Sequence, residues 1–271
     1  MARAIPTALA GVVEHLELEG DLVVTLGSLR AAMEAAGLED ASDDRVRTVA
    51  YRLQRAGWLG TVRSRNVWEF QPGSRGGRFG SGDRFMEFRA YAAIHPNWPG
   101  LLAMESAAGV HGLAQRFPER EVVALPKGTS EPKSFRGEWR VITSALPDTA
   151  STVINNLRVW TLEALLVGIG ERPTNYRDTA GLAQWLPEAA GRANVAAMSD
   201  LLSVLPHAVR QRTAYLFSAV DDHHARDRIL GQSRPSQVVW FGPRSKSGIF
   251  DPSTGVHDTV LRPFLSAGTG A

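Results

Sequence analysis

The chain has 271 residues, of which 44% are hydrophobic and 21% are charged, and its formal net charge is only +2. This composition is typical of one large or two ordinary globular domains, and it excludes a disordered chain. The absence of cysteine excludes a disulfide scaffold, a thiolate metal site and a cysteine nucleophile.

The hydropathy of the chain gives no sign of a membrane span or an export signal. No apolar run approaches the roughly 18–20 residues that a membrane-spanning helix requires. The segment from Met1 to Pro6 leads into an acidic helical pattern rather than into the apolar centre of a signal peptide. We therefore expect a cytoplasmic protein without a membrane partner.

Charge is distributed unevenly along the first third of the chain. Residues 1–44 hold nine acidic and two basic residues, whereas residues 45–84 hold nine arginines and two acidic residues. A concentrated positive patch is the electrostatic signature of a protein that binds a phosphate backbone. The alternative is an arginine-rich surface that is simply solvated, since 27 of the 30 basic residues of the chain are arginines.

The first three elements are predicted to be a helix, a short strand and a second helix. Apolar residues recur at helical spacing over residues 7–18, and residues 22–26 form a β-branched run that is typical of a strand. Ser28 is predicted to cap a helix over residues 29–36, which Gly37 ends.

The third predicted helix, residues 43–56 with Ser42 as its N-cap, has two chemically different faces. At 100° per residue, apolar side chains fall on one face: Val46, Val49, Ala50, Leu53 and Ala56. The other face carries groups of the kinds that contact base edges and phosphates, with Arg45 at its border: Arg45, Arg47, Thr48, Tyr51, Arg52 and Arg55. We predict that the apolar face docks into a core and that these six residues bind DNA.

A β-hairpin with a basic tip is predicted after the third helix. Residues 58–62 and 66–70 read as strands, joined by Arg63, Ser64 and Arg65, which we also predict to contact DNA. Together with the preceding elements, this order is that of a winged helix-turn-helix, in which the third helix enters the major groove and the wing meets the backbone or minor groove. The alternative is a winged helix that serves only in protein interaction.

A glycine-rich segment, residues 73–82, is predicted to link two domains. Its two arginines, Arg75 and Arg78, are candidate DNA contacts, although a plain spacer is the other interpretation. The predicted domains are thus a winged helix-turn-helix over residues 1–72 and a larger domain over residues 83–271.

The larger domain is predicted to be mixed and mainly helical, which makes the whole chain an α+β protein. Its predicted strands are residues 121–125, 138–142 and 238–241, and its predicted helices are residues 83–94, 104–113, 152–167, 178–190, 194–204, 207–220 and 223–230. A tail rich in proline and glycine closes the chain and has no predicted role.

With both parts laid out, the chain resembles the AbiEi family of type IV antitoxins, in particular its mycobacterial-type members. The resemblance is carried by the winged helix and by three segments of the larger domain: Met104–Leu113 (MESAAGVHGL), Arg158–Leu166 (RVWTLEALL) and Thr179–Leu186 (TAGLAQWL). It spans most of residues 7–232.

The resemblance implies a bacterial autorepressor that binds inverted repeats in operator DNA upstream of its own operon. The partner implied is a cognate toxin resembling a nucleotidyltransferase, which the antitoxin neutralises either directly or indirectly. The DNA-binding elements of the family correspond to the third helix and the wing. No catalytic residue is carried over by the resemblance, and no cofactor is expected.

Two groups of residues contain side chains of the types found in metal or catalytic sites, and in both groups the sequence favours a structural role. The segment from Asp221 to His224, with Asp227, is rich in metal-ligand types, but neighbouring side chains on a helix diverge, so Asp222 is predicted to be a helix cap. His111 is predicted to bond carbonyls at a helix end rather than to take part in catalysis.

Three functions therefore follow from the sequence. A DNA-binding autorepressor and antitoxin leads. The alternatives are a protein-binding module that neutralises a toxin directly and a nuclease with a winged-helix DNA anchor. The nuclease is disfavoured because the three lysines of the chain do not lie in a nuclease-like acidic pattern. We expect no enzymatic activity and no metal site.

Overall fold

The computed structural model describes residues 7–39, 41–73, 82–232, 235, 237–245 and 247–265. The chain forms two compact units. The first unit is Met1–Trp98 together with Pro132–Phe135, and the second is Pro99–Glu131 together with Arg136–Ala271. The units thus divide at Trp98, whereas the sequence placed a linker at residues 73–82; domain boundaries at residues 72 and 83 stay a prediction.

The first unit has the element order that the sequence predicted over residues 7–70, followed by one more helix. Its helices and strands are α1 (Ala10–Glu19), β1 (Val23–Thr25), α2 (Leu26–Ala35), α3 (Asp43–Arg55), β2 (Leu59–Thr61), β3 (Val67–Phe70) and α4 (Met86–Ile94). The three strands form an antiparallel sheet in the order β1-β3-β2. The predicted α+β fold class is confirmed.

The core of the first unit is built from one apolar face of each element. Five of its side chains are fully excluded from solvent: Val12 from α1, Leu29 and Met33 from α2, and Val46 and Leu53 from α3. Burying a side chain of this size contributes roughly 1.5–3 kcal/mol to the free energy of folding. This shared core fixes which face of each helix is turned away from water.

The start of α2 differs from the prediction. The helix begins at Leu26, and its N-cap is Thr25, whose hydroxyl accepts a hydrogen bond from the Ser28 N–H at 3.1 Å. Ser28 is the third residue of the helix and accepts in return from the Thr25 N–H at 2.8 Å. Ser28 therefore completes a capping box instead of capping the helix itself, because this pair satisfies two backbone donors rather than one.

Helix α4 packs against β1 and β3 and supports the wing. The Glu87 carboxylate of α4 accepts a hydrogen bond from the backbone N–H of Arg63, in the loop between β2 and β3. Burial raises the pKa of the Glu87 carboxyl above its ordinary value, and the N–H and the positive charge of Arg63 act in the opposite direction.

The second unit contains an open sheet followed by helices. Its elements are β4 (Leu101–Leu102), α5 (Met104–Val110), β5 (Val122–Pro126), β6 (Arg140–Ser144), β7 (Ser151–Ile154), β8 (Leu157–Trp160), α6 (Leu162–Glu171), α7 (Thr179–Arg192), α8 (Val195–Leu202), α9 (His207–Ser218), α10 (His223–Leu230), β9 (Val239–Phe241), β10 (Ile249–Asp251), β11 (Val256–Asp258) and α11 (Arg262–Leu265).

Two sheets organise the second unit. The larger has the strand order β6-β5-β4-β8-β7, with parallel pairs β5–β6 and β4–β8 and antiparallel pairs β4–β5 and β7–β8. The smaller has the order β10-β11-β9, in which β9 and β11 are parallel. The strands of this second sheet after β9 lie in the tail for which no structure was predicted.

The predicted helix over residues 152–167 is wrong over its first half. This stretch forms the β7–β8 hairpin, and α6 begins only at Leu162. Asn155 and Asn156 have φ values of 51° and 57°, which suit a two-residue hairpin turn and break a helix. The β-branched residues before the turn also favour a strand.

A close approach between Gly168 of α6 and the buried ring of Trp160 gives the first testable prediction. A Cβ atom at position 168 would lie 2.5 Å from Cζ3 of Trp160. We expect Gly168→Ala to destabilise the protein by about 1–3 kcal/mol, because the enclosed ring has little room to shift. Chemical denaturation measures the change.

Gly191 of α7 provides the matched control, since a Cβ there would have no neighbour within 4 Å. Gly191→Ala should stabilise the protein by about 0.5–1 kcal/mol through helix propensity. Equal effects of the two substitutions would contradict the packing argument.

The raised pKa of Glu87 gives the second prediction. The folded protein binds a proton at this carboxyl more readily than the unfolded chain does, so ionisation of Glu87 destabilises the fold as pH rises above the ordinary glutamate range. Glu87→Gln keeps an acceptor for the Arg63 N–H without the charge. We expect Glu87→Gln to raise Tm at neutral pH. Below about pH 4 the variant and the wild type should have nearly the same Tm, because the Glu87 carboxyl is then protonated and, like the glutamine amide, uncharged. A decrease of Tm at neutral pH would contradict this explanation.

Candidate nucleic-acid interface

Helix α3 has a buried apolar face and an exposed polar face. Val46, Val49, Ala50 and Leu53 are at most 1% exposed. The six side chains predicted from the sequence to contact DNA all belong to exposed residues: Arg45, Arg47, Thr48, Tyr51, Arg52 and Arg55. The core therefore turns one continuous cationic and hydrogen-bonding surface outward.

Arg47 and Thr48 are engaged with acidic or carbonyl groups of their own helix. The guanidinium of Arg47 lies 3.1 Å from a carboxylate oxygen of Asp44 and 3.6 Å from one of Asp43. The hydroxyl of Thr48 donates to the backbone carbonyl of Asp44 at 2.8 Å. Both side chains would have to exchange these partners for phosphate or base contacts.

Arg45, Arg52 and Arg55 lie on the same exposed face, and within the described ranges no ion pair involves their guanidinium groups. The guanidinium carbon of Arg55 lies 5.9 Å from the ring centroid of Tyr51, which is itself 59% exposed. Arg52 and Arg55 occupy the last turn, where the helix dipole favours cations. These residues have charge available for an anionic partner.

The wing carries two exposed arginines on a loop whose conformation is fixed by its neighbours. Arg63 and Arg65 are exposed, and Asn66, at the end of the loop, has a φ of 59°, a left-handed value that asparagine tolerates. Ser64 differs from its prediction in position: its hydroxyl oxygen is buried and has no hydrogen-bond partner among the described residues. The two arginines, and not this hydroxyl, face outward.

A cavity of about 640 Å³ adjoins the wing within the first unit. Besides the wing residues, Tyr91, Ile94, His95, Lys133 and Ser134 line it. The sequence reading missed Lys133 and His95 as neighbours of the wing, because Lys133 follows the wing by about 70 residues and no local pattern links them. Lys133 extends the cationic surface beyond the hairpin, and His95 adds an imidazole that can form hydrogen bonds.

The predicted contacts Arg75 and Arg78 lie outside the described residues. Nothing in the structure bears on their position, and they stay a prediction.

The candidate metal and catalytic residues Asp222 and His111 form hydrogen bonds that hold the fold together. Asp222 caps α10, accepting from the Ala225 N–H at 3.0 Å, as predicted. A ring nitrogen of His111 lies 2.8 Å from the carbonyl oxygen of Trp160, which joins the end of α5 to β8. Within the part of the chain that the structure covers, no three His, Asp or Glu residues are grouped as a metal site would require.

The segment Met104–Leu113 is also accounted for by structure. The hydroxyl of Ser106 accepts a hydrogen bond from the Val122 N–H at 2.7 Å and donates to the Glu121 carboxylate. Together with the His111 contact, these bonds hold α5 against β5 and β8 of the larger sheet. The motif thus positions elements of the second unit.

None of the helices in the described ranges combines the length and the apolar character needed to cross a bilayer.

Comparison with known proteins identifies solved structures of similar fold and one matching family model. The chain shares its fold with the RV2827C protein from Mycobacterium tuberculosis, whose crystal structure aligns with a TM-score of 0.79 at 23% sequence identity, covering 98% of this chain and 96% of the other. No curated protein matches. Residues 100–219 match the family described as the AbiEi antitoxin C-terminal domain. This stretch of the larger unit is therefore similar to the C-terminal domain of AbiEi antitoxins.

Proposed function

We propose that the protein is a DNA-binding autorepressor and the antitoxin of a bacterial type IV toxin–antitoxin operon. The observation that carries the DNA-binding part is the outward face of α3, where arginine, threonine and tyrosine side chains share one exposed surface beside a basic wing. A surface of this composition is complementary to a duplex in both charge and hydrogen-bonding groups.

In the proposed complex, α3 enters the major groove and the wing follows the phosphate backbone. The exposed guanidinium groups of Arg45, Arg52 and Arg55 suit bidentate contacts to guanine or phosphate. Arg63 and Arg65, with Lys133 beside them, form a second row of charges for the backbone. The operator is proposed to contain inverted repeats upstream of the protein's own gene.

The antitoxin part of the proposal is supported by the family match of residues 100–219. The proposed partner is a cognate toxin resembling a nucleotidyltransferase. Because this match lies in the second unit, a second function is also favoured by it: the larger unit neutralises the toxin directly, and DNA binding serves only to regulate expression.

Substitutions on α3 test the DNA interface. We expect Arg52→Ala to weaken binding to the duplex upstream of the gene by about 1–3 kcal/mol, the value of one good contact to a base. Arg47→Ala should cost less, because the guanidinium of Arg47 must first leave Asp43 and Asp44. Fluorescence anisotropy titrations measure both, with the exposed Arg228 of α10 replaced by alanine as a control. Wild-type affinity for Arg52→Ala would contradict the proposed orientation.

The wing is tested through the salt dependence of binding. Arg63→Ala and Arg65→Ala should weaken binding to operator and unrelated duplexes alike. Each should also reduce the slope of log K against log salt by about one unit, because each removes one phosphate contact. A sequence-selective loss, or an unchanged slope, would show that the wing does not follow the backbone.

Co-expression separates the two parts of the proposal. The wild-type chain should rescue growth of cells that express the toxin encoded beside it. A variant with Arg45, Arg52 and Arg55 replaced by alanine, expressed from a foreign promoter, should rescue as well as wild type if neutralisation is direct. Unrelieved growth arrest with the wild-type chain would contradict the antitoxin assignment.

A further inference from the structure

A second cationic site lies entirely within the second unit, separate from α3 and the wing. It is a cavity of about 340 Å³ whose walls include the side chains of Arg116, Arg120, Arg140 and Arg177. We call it the arginine cleft. All four arginines lie within residues 100–219, but they come from three separate stretches of sequence, so only the fold brings them together.

The carboxylates nearest to these arginines already have partners inside the protein. Glu105, whose side chain is only 5% exposed, forms an ion pair with Arg140 and also accepts from the backbone N–H of Arg177. Asp178 accepts from the Gly181 N–H at 2.9 Å and caps α7. These two acids are therefore committed to holding the walls of the cleft in place.

Three guanidinium groups remain for a ligand. Arg116, Arg120 and Arg177 are exposed, and no ion pair within the described ranges involves them; Glu119 is the remaining acid of the cleft. The pKa of the Arg140 guanidinium is lowered, first by burial and then by repulsion from the positive charge of Arg177. The negative charge of Glu105 acts in the opposite direction. The buried Nε of Arg140 has no acceptor among the described residues. An anion in the cleft would relieve this repulsion.

An aromatic ring stands beside these charges. Phe117 lines the same cavity and is 72% exposed, so its ring lies at the surface of the cleft. A volume of about 340 Å³ falls at the lower end of small-molecule sites. Several arginine forks around one small cavity suit a group with several charged oxygens, such as a phosphate, better than a single carboxylate of an acidic peptide.

We propose that the arginine cleft binds a small phosphate ester of mononucleotide size, with Arg116, Arg120 and Arg177 contacting the phosphate and Phe117 contacting the planar base. This site is independent of the proposed DNA interface on α3. It would make the antitoxin unit responsive to a small metabolite.

Thermal unfolding and calorimetric titration of the full chain test this proposal. The probes are AMP, UMP and inorganic pyrophosphate, with adenosine as the uncharged control, all at constant ionic strength. We expect the phosphate compounds to raise Tm by about 3–6 °C when present at ten times their Kd, and adenosine to leave Tm unchanged. Arg116→Ala and Arg177→Ala should each weaken binding at least about tenfold.

Two further variants make the result specific. Phe117→Ala should weaken binding of AMP and UMP but not of pyrophosphate, since only the nucleotides carry a base. Arg228→Ala, which removes an exposed arginine of α10, should bind like wild type. Circular dichroism of each variant establishes that the fold is retained.

The proposal is overturned if none of the three phosphate compounds changes Tm at millimolar concentration. Equal binding by wild type and by the Arg116 and Arg177 variants would also overturn it. If those variants instead lose affinity for duplex DNA or for an acidic peptide while the phosphate compounds stay inactive, the cleft serves a macromolecule and the proposal is wrong. Loss of operator binding by the α3 variants has no bearing on this outcome.

Discussion

The burial of the apolar face of α3 is the constraint on which the rest of the first unit depends. Val46, Val49, Ala50 and Leu53 cannot face water without losing several kcal/mol of hydrophobic free energy, and their positions on the helix leave no freedom in its rotation. The outward direction of Arg45, Arg52 and Arg55 is a consequence of that burial. The surface proposed to bind DNA is therefore set by the core, and not by contacts among the arginines themselves.

The arginines on this surface differ in how much of their charge is already paired inside the protein. Asp43 and Asp44 stabilise the start of α3 through the helix dipole, but they also engage Arg47. The same carboxylates that help to form the helix thus weaken one end of its cationic face, and the arginines toward its C-terminus retain their charge for a partner. In the wing, the Glu87 carboxylate fixes the backbone at Arg63 while the guanidinium side chains of the loop stay exposed. Backbone anchoring and the proposed contact with DNA are in this way divided between different atoms of Arg63.

The second unit shows the same division of roles among its own residues. Ser106 and His111 lie in the segment that carries much of the family resemblance. Their side chains are engaged in hydrogen bonds to the backbone of neighbouring strands. The groups with charge to offer are arginines outside that segment, gathered around a cavity in which Glu105 and Asp178 are already paired. A structural role thus accounts for the recognisable motif, and the candidate ligand site lies in less distinctive sequence.

Periodicity and turn residues predicted the order of elements over residues 7–39 and 41–72, including the two faces of α3 and the wing with Arg63 and Arg65, whereas the cap and start of α2 were predicted wrongly. These features depend on interactions between residues close in sequence, which a one-dimensional pattern records. The same reasoning failed at residues 152–160, where the Asn155–Asn156 turn favours a hairpin and apolar periodicity was misread as a helix. It also did not place Lys133 and His95 beside the wing, and it did not predict that Arg116 and Arg140 converge with Arg177. Only the tertiary structure decided those, because they depend on strand order and long-range packing, and no spacing along the chain encodes which distant charges share one cavity.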